Sequence, residues 1–366
     1  MIKLLLVDDS PLMRRLLADI FSDAGDFEVE IARDGSEALD KLISFSPDVV
    51  TLDIHMPGMD GLACLDRIML LRPVPVVMVS SLTAAGADET LEAMALGAVD
   101  FIPKPRGAVS LEIGAVADAL VEKVRAAASA RISRTVRLRD RVRAQASGTL
   151  LQPGRRVPAS APPLVRGATA GPLAGDDLVV LVGCSTGGPP ALDSLLAALP
   201  ADFPWPIVIA QHMPASFTGP LARRLDRLCA LSVREVDRTT ALEPGNAYIG
   251  RGDADLILSR RGREIVAMPA PSSSEYFWHP SVDRLVDSAM KYIAPEQLVG
   301  VLMTGMGADG AIAMTTLKER GGHTIAEAQS TAVVWGMPGA LVSKDGASSV
   351  QPLDAISGEL LRLAGR

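Results

Sequence analysis

The feature that most restricts this 366-residue chain is a tract, residues 126–175, that cannot build a core and separates two stretches that can. It carries arginines at 131, 134, 137, 139, 141 and 143, then becomes rich in Ala, Pro and Gly up to Gly175, with too little apolar periodicity to pack. On either side, short apolar runs alternate with helical spacing. Before the tract, Lys3–Val7, Val49–Leu52 and Val74–Val79 read as strands, and Arg14–Phe21, Ser36–Ile43, Leu62–Leu70 and Leu111–Ala128 as helices. After it, Leu178–Val182, Ile207–Ala210 and Leu298–Met303 read as strands, and Pro189–Leu199 and Ala311–Glu319 as helices. Alternation of this kind predicts βαβ units around parallel sheets, and apolar runs without internal alternation suit sheets covered on both faces. The predicted fold class is therefore α/β: two doubly wound parallel-sheet domains, 1–125 and 176–366, joined by a linker, 126–175.

Charge follows the same partition. Residues 1–105 hold 8 basic and 18 acidic side chains, residues 106–175 hold 12 and 4, and residues 176–366 hold 16 and 21. The arginines have no interleaved aromatics and the last segment is acidic, which argues against a nucleic-acid partner or a DNA-binding output. The apolar runs fall far short of the roughly 18 residues of a membrane span, and aspartates at 8 and 9 end the N-terminal run too early for a signal peptide. A cytoplasmic protein without membrane insertion is expected. Cys64, Cys184 and Cys229 are too few and too scattered for a disulfide framework or zinc site. Histidine chemistry must draw on His55, His212, His279 or His323.

Asp8 and Asp9 follow the first predicted strand, Asp53 ends another in VVTLDIHMPGMDG, Ser80 ends VVMVSS, and Lys104 follows DFIP. In a parallel sheet these all fall at one edge. Three gathered carboxylates repel one another unless a cation joins them, and magnesium, a hard ion that takes carboxylate oxygens, waters and phosphate, suits the set. Lys104 and Ser80 can then contact a phosphoryl group. Each residue alone could be a cap or a solvated strand end; their order and the PGMDG turn speak against that. On these residues, positions 1 to about 125 resemble a response-regulator receiver of flavodoxin-like fold. The resemblance implies that Asp53 accepts phosphate from a histidine kinase, that Asp8 and Asp9 join it in binding Mg2+, and that Phe101 is the aromatic switch. His55 departs from the acidic residue more usual two positions after the phosphoacceptor.

The sequence LVVLVGCSTGG places Gly183–Cys184–Ser185–Thr186–Gly187 between a strand and a helix, the G-x-S-x-G arrangement that exposes a serine on a sharp turn. A phosphate cradle or a plain tight turn is also open, although the Gly-Lys-Ser/Thr ending of a P-loop is missing and Asp202 lies in a predicted turn, unsuited to bind a ribose. Cys184 at the strand end fits burial better than nucleophilic attack. His212 ends PIVIAQH, where it can face Ser185 as base, and Asp309, in the Gly-rich LMTGMGADG loop, can orient it. Gly305, Gly307 and Gly310 suggest unusual backbone angles there, and such a loop could aim N–H groups at an oxyanion. His279 and His323 are weaker candidates.

Residues 176–366 resemble the catalytic domain of the chemotaxis protein-glutamate methylesterases, the CheB family, a Rossmann-like serine hydrolase fold. GCSTGGPPAL, IVIAQHMP, HPSVDRLVDS, LMTGMGADGA and TIAEAQSTAVVWGMPGA carry the likeness. It implies Ser185 as nucleophile, His212 as base, Asp309 as orienter, Thr186 beside the nucleophile and the Met306 N–H as oxyanion donor. It further implies hydrolysis of glutamate γ-methyl esters on methyl-accepting chemoreceptors, glutamine deamidation, no cofactor for the esterase step, a monomer, and a receiver that covers the active site until phosphorylated. His279 stands where arginine is common, a change expected at the pocket rim. An enzyme of the same mechanism acting on another ester or amide is the rival reading.

Overall fold

The computed structural model describes residues 1–80, 83–104, 113–130 and 178–365. The arginine-rich stretch and the Ala/Pro/Gly tract fall outside the described residues. The first sheet is five-stranded and wholly parallel, in the order β2-β1-β3-β4-β5, built from β1 (Ile2–Val7), β2 (Phe27–Ala32), β3 (Val49–Asp53), β4 (Val76–Ser80) and β5 (Asp100–Pro103). Helices α1 (Pro11–Asp23), α2 (Gly35–Ser44), α3 (Gly61–Leu71), α4 (Ala84–Leu96) and α5 (Ile113–Ala128) accompany it. β3 and β4 are buried along their whole length, which is why their sequences run apolar without alternation. α5 continues past the expected boundary at 125, and Ala127 is buried in the first core.

Local chemistry fixes the ends that matter. Ser10 caps α1, with Pro11 as its first residue, and Asp60 caps α3 by accepting the Ala63 N–H at 2.8 Å. A side chain at Gly61 would meet the Asp53 carbonyl at 2.1 Å, so only glycine lets α3 start against the end of β3.

The second domain holds a seven-stranded parallel sheet, ordered β15-β14-β13-β6-β7-β10-β8. Its strands are β6 (Val179–Cys184), β7 (Ile207–Gln211), β8 (Ser232–Val236), β10 (Asn246–Gly250), β13 (Leu298–Leu302), β14 (His323–Glu327) and β15 (Ser349–Gln351). Its helices are α6 (Gly188–Ala197), α7 (Ala215–Leu228), α8 (Val282–Ala289), α9 (Ala311–Glu319), α10 (Met337–Ser343) and α11 (Leu353–Leu363). A three-stranded antiparallel sheet of β9 (Thr240–Ala241), β11 (Asp255–Arg261) and β12 (Glu264–Ala270) is added to it, an element not foreseen in the sequence. The chain leaves β6 toward β7 and later returns through β13 on the other side, so the carboxyl end of β6 borders a topological switch point, where ligands bind in such sheets.

The two domains meet. α4 packs against α7, Phe101 lies 4.2 Å from Phe217 between ring centroids, and Arg224 donates to the Leu91 carbonyl at 3.1 Å. One apolar core runs from Leu91, Met94 and Phe101 into Phe217 and Leu221.

Candidate active site and regulatory carboxylate cluster

Register brings the candidate catalytic residues together. Gly183 pairs with Leu302 and Cys184 with Gln211, so Ser185, His212 and the loop from Met303 all leave the sheet at one level. The Ser185 N–H donates to the Thr304 carbonyl at 2.9 Å and the His212 N–H to the Cys184 carbonyl at 3.1 Å. The Gln211 side-chain amide donates to the carbonyls of both Ser185 and His212, each at 3.0 Å, and clamps the two turns. This residue was not anticipated; the neighbouring Gly188, where a side chain would meet Gln211 Oε1 at 1.9 Å, was its trace in the sequence.

His212 Nε2 and Asp309 Oδ2 are 2.8 Å apart. Asp309 sits on the N-terminus of α8, accepting from the Val282 N–H at 2.7 Å, the Asp283 N–H at 3.1 Å and the Ser281 hydroxyl at 3.0 Å. Burial by itself would raise the Asp309 carboxyl, but His212 and these N–H groups hold it below the usual carboxylate range. α8 comes this close because two glycines admit it: side chains at Gly183 and Gly310 would meet Val282 at 2.5 and 2.6 Å. Gly307 and Gly310 have positive φ, as expected. Gly305 does not; it is required by space, since a side chain there would meet Met337 Sδ at 2.3 Å and Ser185 Cβ at 2.8 Å.

His212 Nδ1 is buried without a hydrogen-bond partner, so Ser185 and His212 are not hydrogen-bonded in this arrangement. Trp278 stacks on the His212 ring at 5.2 Å and 12°. Cys184 is fully buried, donates to Gln211 Oε1, and burial pushes its thiol far above the ordinary range, which removes it as a nucleophile. His279 is engaged away from the chemistry, with Nδ1 3.0 Å from the buried Asp255 carboxylate, and His323 lies 3.8 Å from Glu359.

The turn carrying Ser185 also touches the first domain. The Thr186 hydroxyl donates to Asp100 Oδ2 at 2.5 Å, and the Gly187 N–H donates to the Val99 carbonyl at 3.1 Å. Asp100 Oδ1 meanwhile accepts from Lys123 at 3.1 Å and from the Phe101 N–H at 2.7 Å.

In the first domain, Asp8, Asp9 and Asp53 each bring a carboxylate oxygen to within 4.8 Å of the others. Lys104 Nζ stands 2.7 Å from Asp53 Oδ2 and 3.4 Å from Asp8 Oδ2. Asp8 Oδ1 takes the Ser10 N–H at 2.8 Å, while the buried Oδ2 has no hydrogen-bond partner. Burial, reinforced by the Asp53 charge, raises the Asp8 carboxyl against the pull of the Ser10 N–H and Lys104. Burial alone would lower the Lys104 ammonium, but Asp53 and Asp8 carry it upward. A buried oxygen without a hydrogen bond among three carboxylates fits a hard divalent cation. Ser80 is turned toward α4, donating to the Gly86 carbonyl at 3.2 Å and accepting from Thr90 at 2.7 Å. His55 Nε2 lies 3.1 Å from Glu89 on α4.

Among the described residues no helix is long and apolar enough to cross a membrane. Residues 180–360 match the family model described as CheB methylesterase, and residues 4–113 match the response regulator receiver domain. A Rhodopseudomonas palustris protein-glutamate methylesterase/protein-glutamine glutaminase is 55% identical over 99% of this chain and 98% of its own length. One from Rhodospirillum rubrum is 51% identical over 98% and 95%. The crystal structure of the Thermotoga maritima CheB methylesterase catalytic domain, 37% identical, superposes with a TM-score of 0.50, covering 51% of this chain and 98% of that one. With a receiver in front of a methylesterase domain, and similar to these relatives from end to end, this chain belongs to the family of protein-glutamate methylesterases/protein-glutamine glutaminases.

Proposed function

We propose that this chain is a phosphorylation-activated protein-glutamate methylesterase that hydrolyses glutamate γ-methyl esters on chemoreceptors and deamidates receptor glutamines, working as a cytoplasmic monomer in chemotaxis-type adaptation. The observation that carries the reading is the 2.8 Å His212–Asp309 pair, one strand over from Ser185, with Asp309 anchored on a helix N-terminus. Ser185 Oγ attacks the ester carbonyl carbon while its proton passes to His212 Nδ1, the ring nitrogen left open once Nε2 is committed to Asp309. The Ser185 N–H is occupied by Thr304, so the oxyanion is stabilised by the Met306 N–H in the loop that follows. His212 returns the proton to the departing methoxide, methanol leaves, and a water activated by the same imidazole hydrolyses the acyl-enzyme to the free glutamate. With glutamine as substrate, ammonia leaves instead.

Asp8, Asp9 and Asp53 would hold magnesium, which when bound offsets the negative charge of a phosphoryl group there. Asp53 takes that group from a histidine kinase, and Lys104 moves from Asp53 onto its oxygens. Drawing Ser80 toward the phosphoryl group breaks its bonds to Gly86 and Thr90 and loosens α4, the helix packed on α7. Phe101, wedged against Phe217, and Asp100, bonded to Thr186, then release the turn that bears Ser185. Methanol release from methylated receptors tests the reading. Ser185→Ala should abolish it, and Asp53→Asn should remove stimulation by an acyl-phosphate donor while leaving a basal rate. Methanol release by Ser185→Ala at the wild-type rate would dismiss the nucleophile, and stimulation that survives Asp53→Asn would dismiss the control route.

A further inference from the structure

Glu327, the last residue of β14, is wholly buried, and among the described residues no cationic group bears on its carboxyl. Its Oε2 accepts the Thr304 N–H at 2.8 Å; its Oε1 has no hydrogen-bond partner, since the nearby Thr331 hydroxyl donates to the Ala328 carbonyl at 3.3 Å. Thr304 is the hub beside the nucleophile. Its carbonyl takes the Ser185 N–H at 2.9 Å, its hydroxyl donates to the Thr186 carbonyl at 2.8 Å, and that hydroxyl accepts the Val334 N–H at 3.0 Å. The next residue, Gly305, is tied to the same neighbouring loop through Val334 and Met337, and the loop from Gly305 carries Met306 and Asp309. One carboxyl therefore fixes the residue from which both the serine turn and the oxyanion loop hang.

We propose that Glu327 is a positioning residue for the esterase reaction, holding the Thr304 N–H so that Ser185 and the Met306 N–H keep the spacing the tetrahedral intermediate needs. This rests on the serine-hydrolase reading above. Burial raises the Glu327 carboxyl against the pull of the Thr304 N–H. A glutamine keeps an oxygen that can accept the Thr304 N–H, whereas alanine leaves that N–H buried and unpaired.

Two readouts on the full-length protein test this: steady-state methanol release from methylated receptor, and the rate at which a fluorophosphonate labels Ser185. Glu327→Gln should stay within about threefold of wild type in both. Glu327→Ala should lose about 10- to 100-fold in kcat with KM unchanged, a fraction of what deleting an oxyanion donor costs, and should be labelled correspondingly slowly. If Glu327→Ala is poorly folded, the Gln variant still decides: a folded Glu327→Gln with a large kcat loss, or a Glu327→Ala loss confined to KM, overturns the proposal. Wild-type labelling without methanol release would fault the substrate reading while leaving the positioning role open to the labelling assay.

Discussion

Asp8 and Asp309 are both carboxylates set just beyond a buried parallel strand, and their surroundings are opposite. Asp309 has every need met within the chain: two N–H groups, a hydroxyl and an imidazole converge on it, and its carboxyl is held down. Asp8 has one N–H, an ion pair with Lys104 at 3.4 Å, a like charge beside it and an oxygen without a hydrogen bond, and its carboxyl is pushed up. The first arrangement is satisfied by the chain itself; on the function proposed above, the second is completed by a cation and a phosphoryl group. That is what the proposed roles require: a catalytic group gains from being ordered during folding, while a switch keeps an unmet demand for its ligand to satisfy.

The contrast can be broken at its strongest point by Asp309→Asn. Removing the charge while keeping the shape should lower kcat for methanol release by about 10²- to 10⁴-fold, in line with the loss of the orienting carboxylate in other serine triads. The same variant has a pH signature. Because the folded pKa of Asp309 is depressed, its contribution to stability is complete above the unfolded value near 3.8 and disappears as pH falls through the folded one. The melting difference between wild type and Asp309→Asn should therefore be constant above about pH 5 and shrink below about pH 4; a difference that grows in acid would contradict the assignment.

A smaller effect is expected where the two regions touch. Asp100→Ala removes the acceptor that holds the Thr186 hydroxyl, a bond to a charged group worth about 1.5–3 kcal/mol at most. Basal methanol release by the unphosphorylated protein should rise several-fold, and stimulation by an acyl phosphate should shrink by the same factor. Unchanged basal activity would mean that this contact does not restrain the serine turn.

The smallest effect concerns the incomplete site. Without divalent cation, Asp8→Asn should raise the melting temperature by a few degrees, since it removes a buried like charge at a cost of about 1 kcal/mol. With saturating Mg2+ the order should reverse, because wild type gains about 2.7 kcal/mol at 100 times its dissociation constant and the variant gains less. Equal Mg2+ stabilisation of both proteins would remove Asp8 from the cation site.

Much of this was legible because parallel strands run apolar to their ends and the next polar residue falls at the sheet edge. Asp8, Asp53, Ser80, Ser185 and His212 all stand out in that way. Cys184 was read correctly as buried for the same reason. Asp309 was found through its glycines, but its clamp was not: Ser281, Val282 and Asp283 reach it from 26 to 28 residues away, and nothing in HPSVDRLVDS shows what its backbone N–H groups hold. Gln211 and Glu327 also end strands, but their roles were hidden because the groups they hold, the Ser185 and His212 carbonyls and the Thr304 N–H, are brought to them by packing. Trp278 lies in an irregular stretch without periodicity.

By itself the sequence determined two α/β units, the strand-end residues of each and the chemistry those residue types permit, because hydrophobic periodicity and turn chemistry are local. The tertiary structure alone decided how the units meet: β5 of one sheet abuts the serine turn of the other, with Asp100 on Thr186 and Phe101 on Phe217. It also decided that Asp309 is complete and Asp8 is not. Both depend on which distant backbone donors arrive at a carboxylate, and long-range packing, not local propensity, places them.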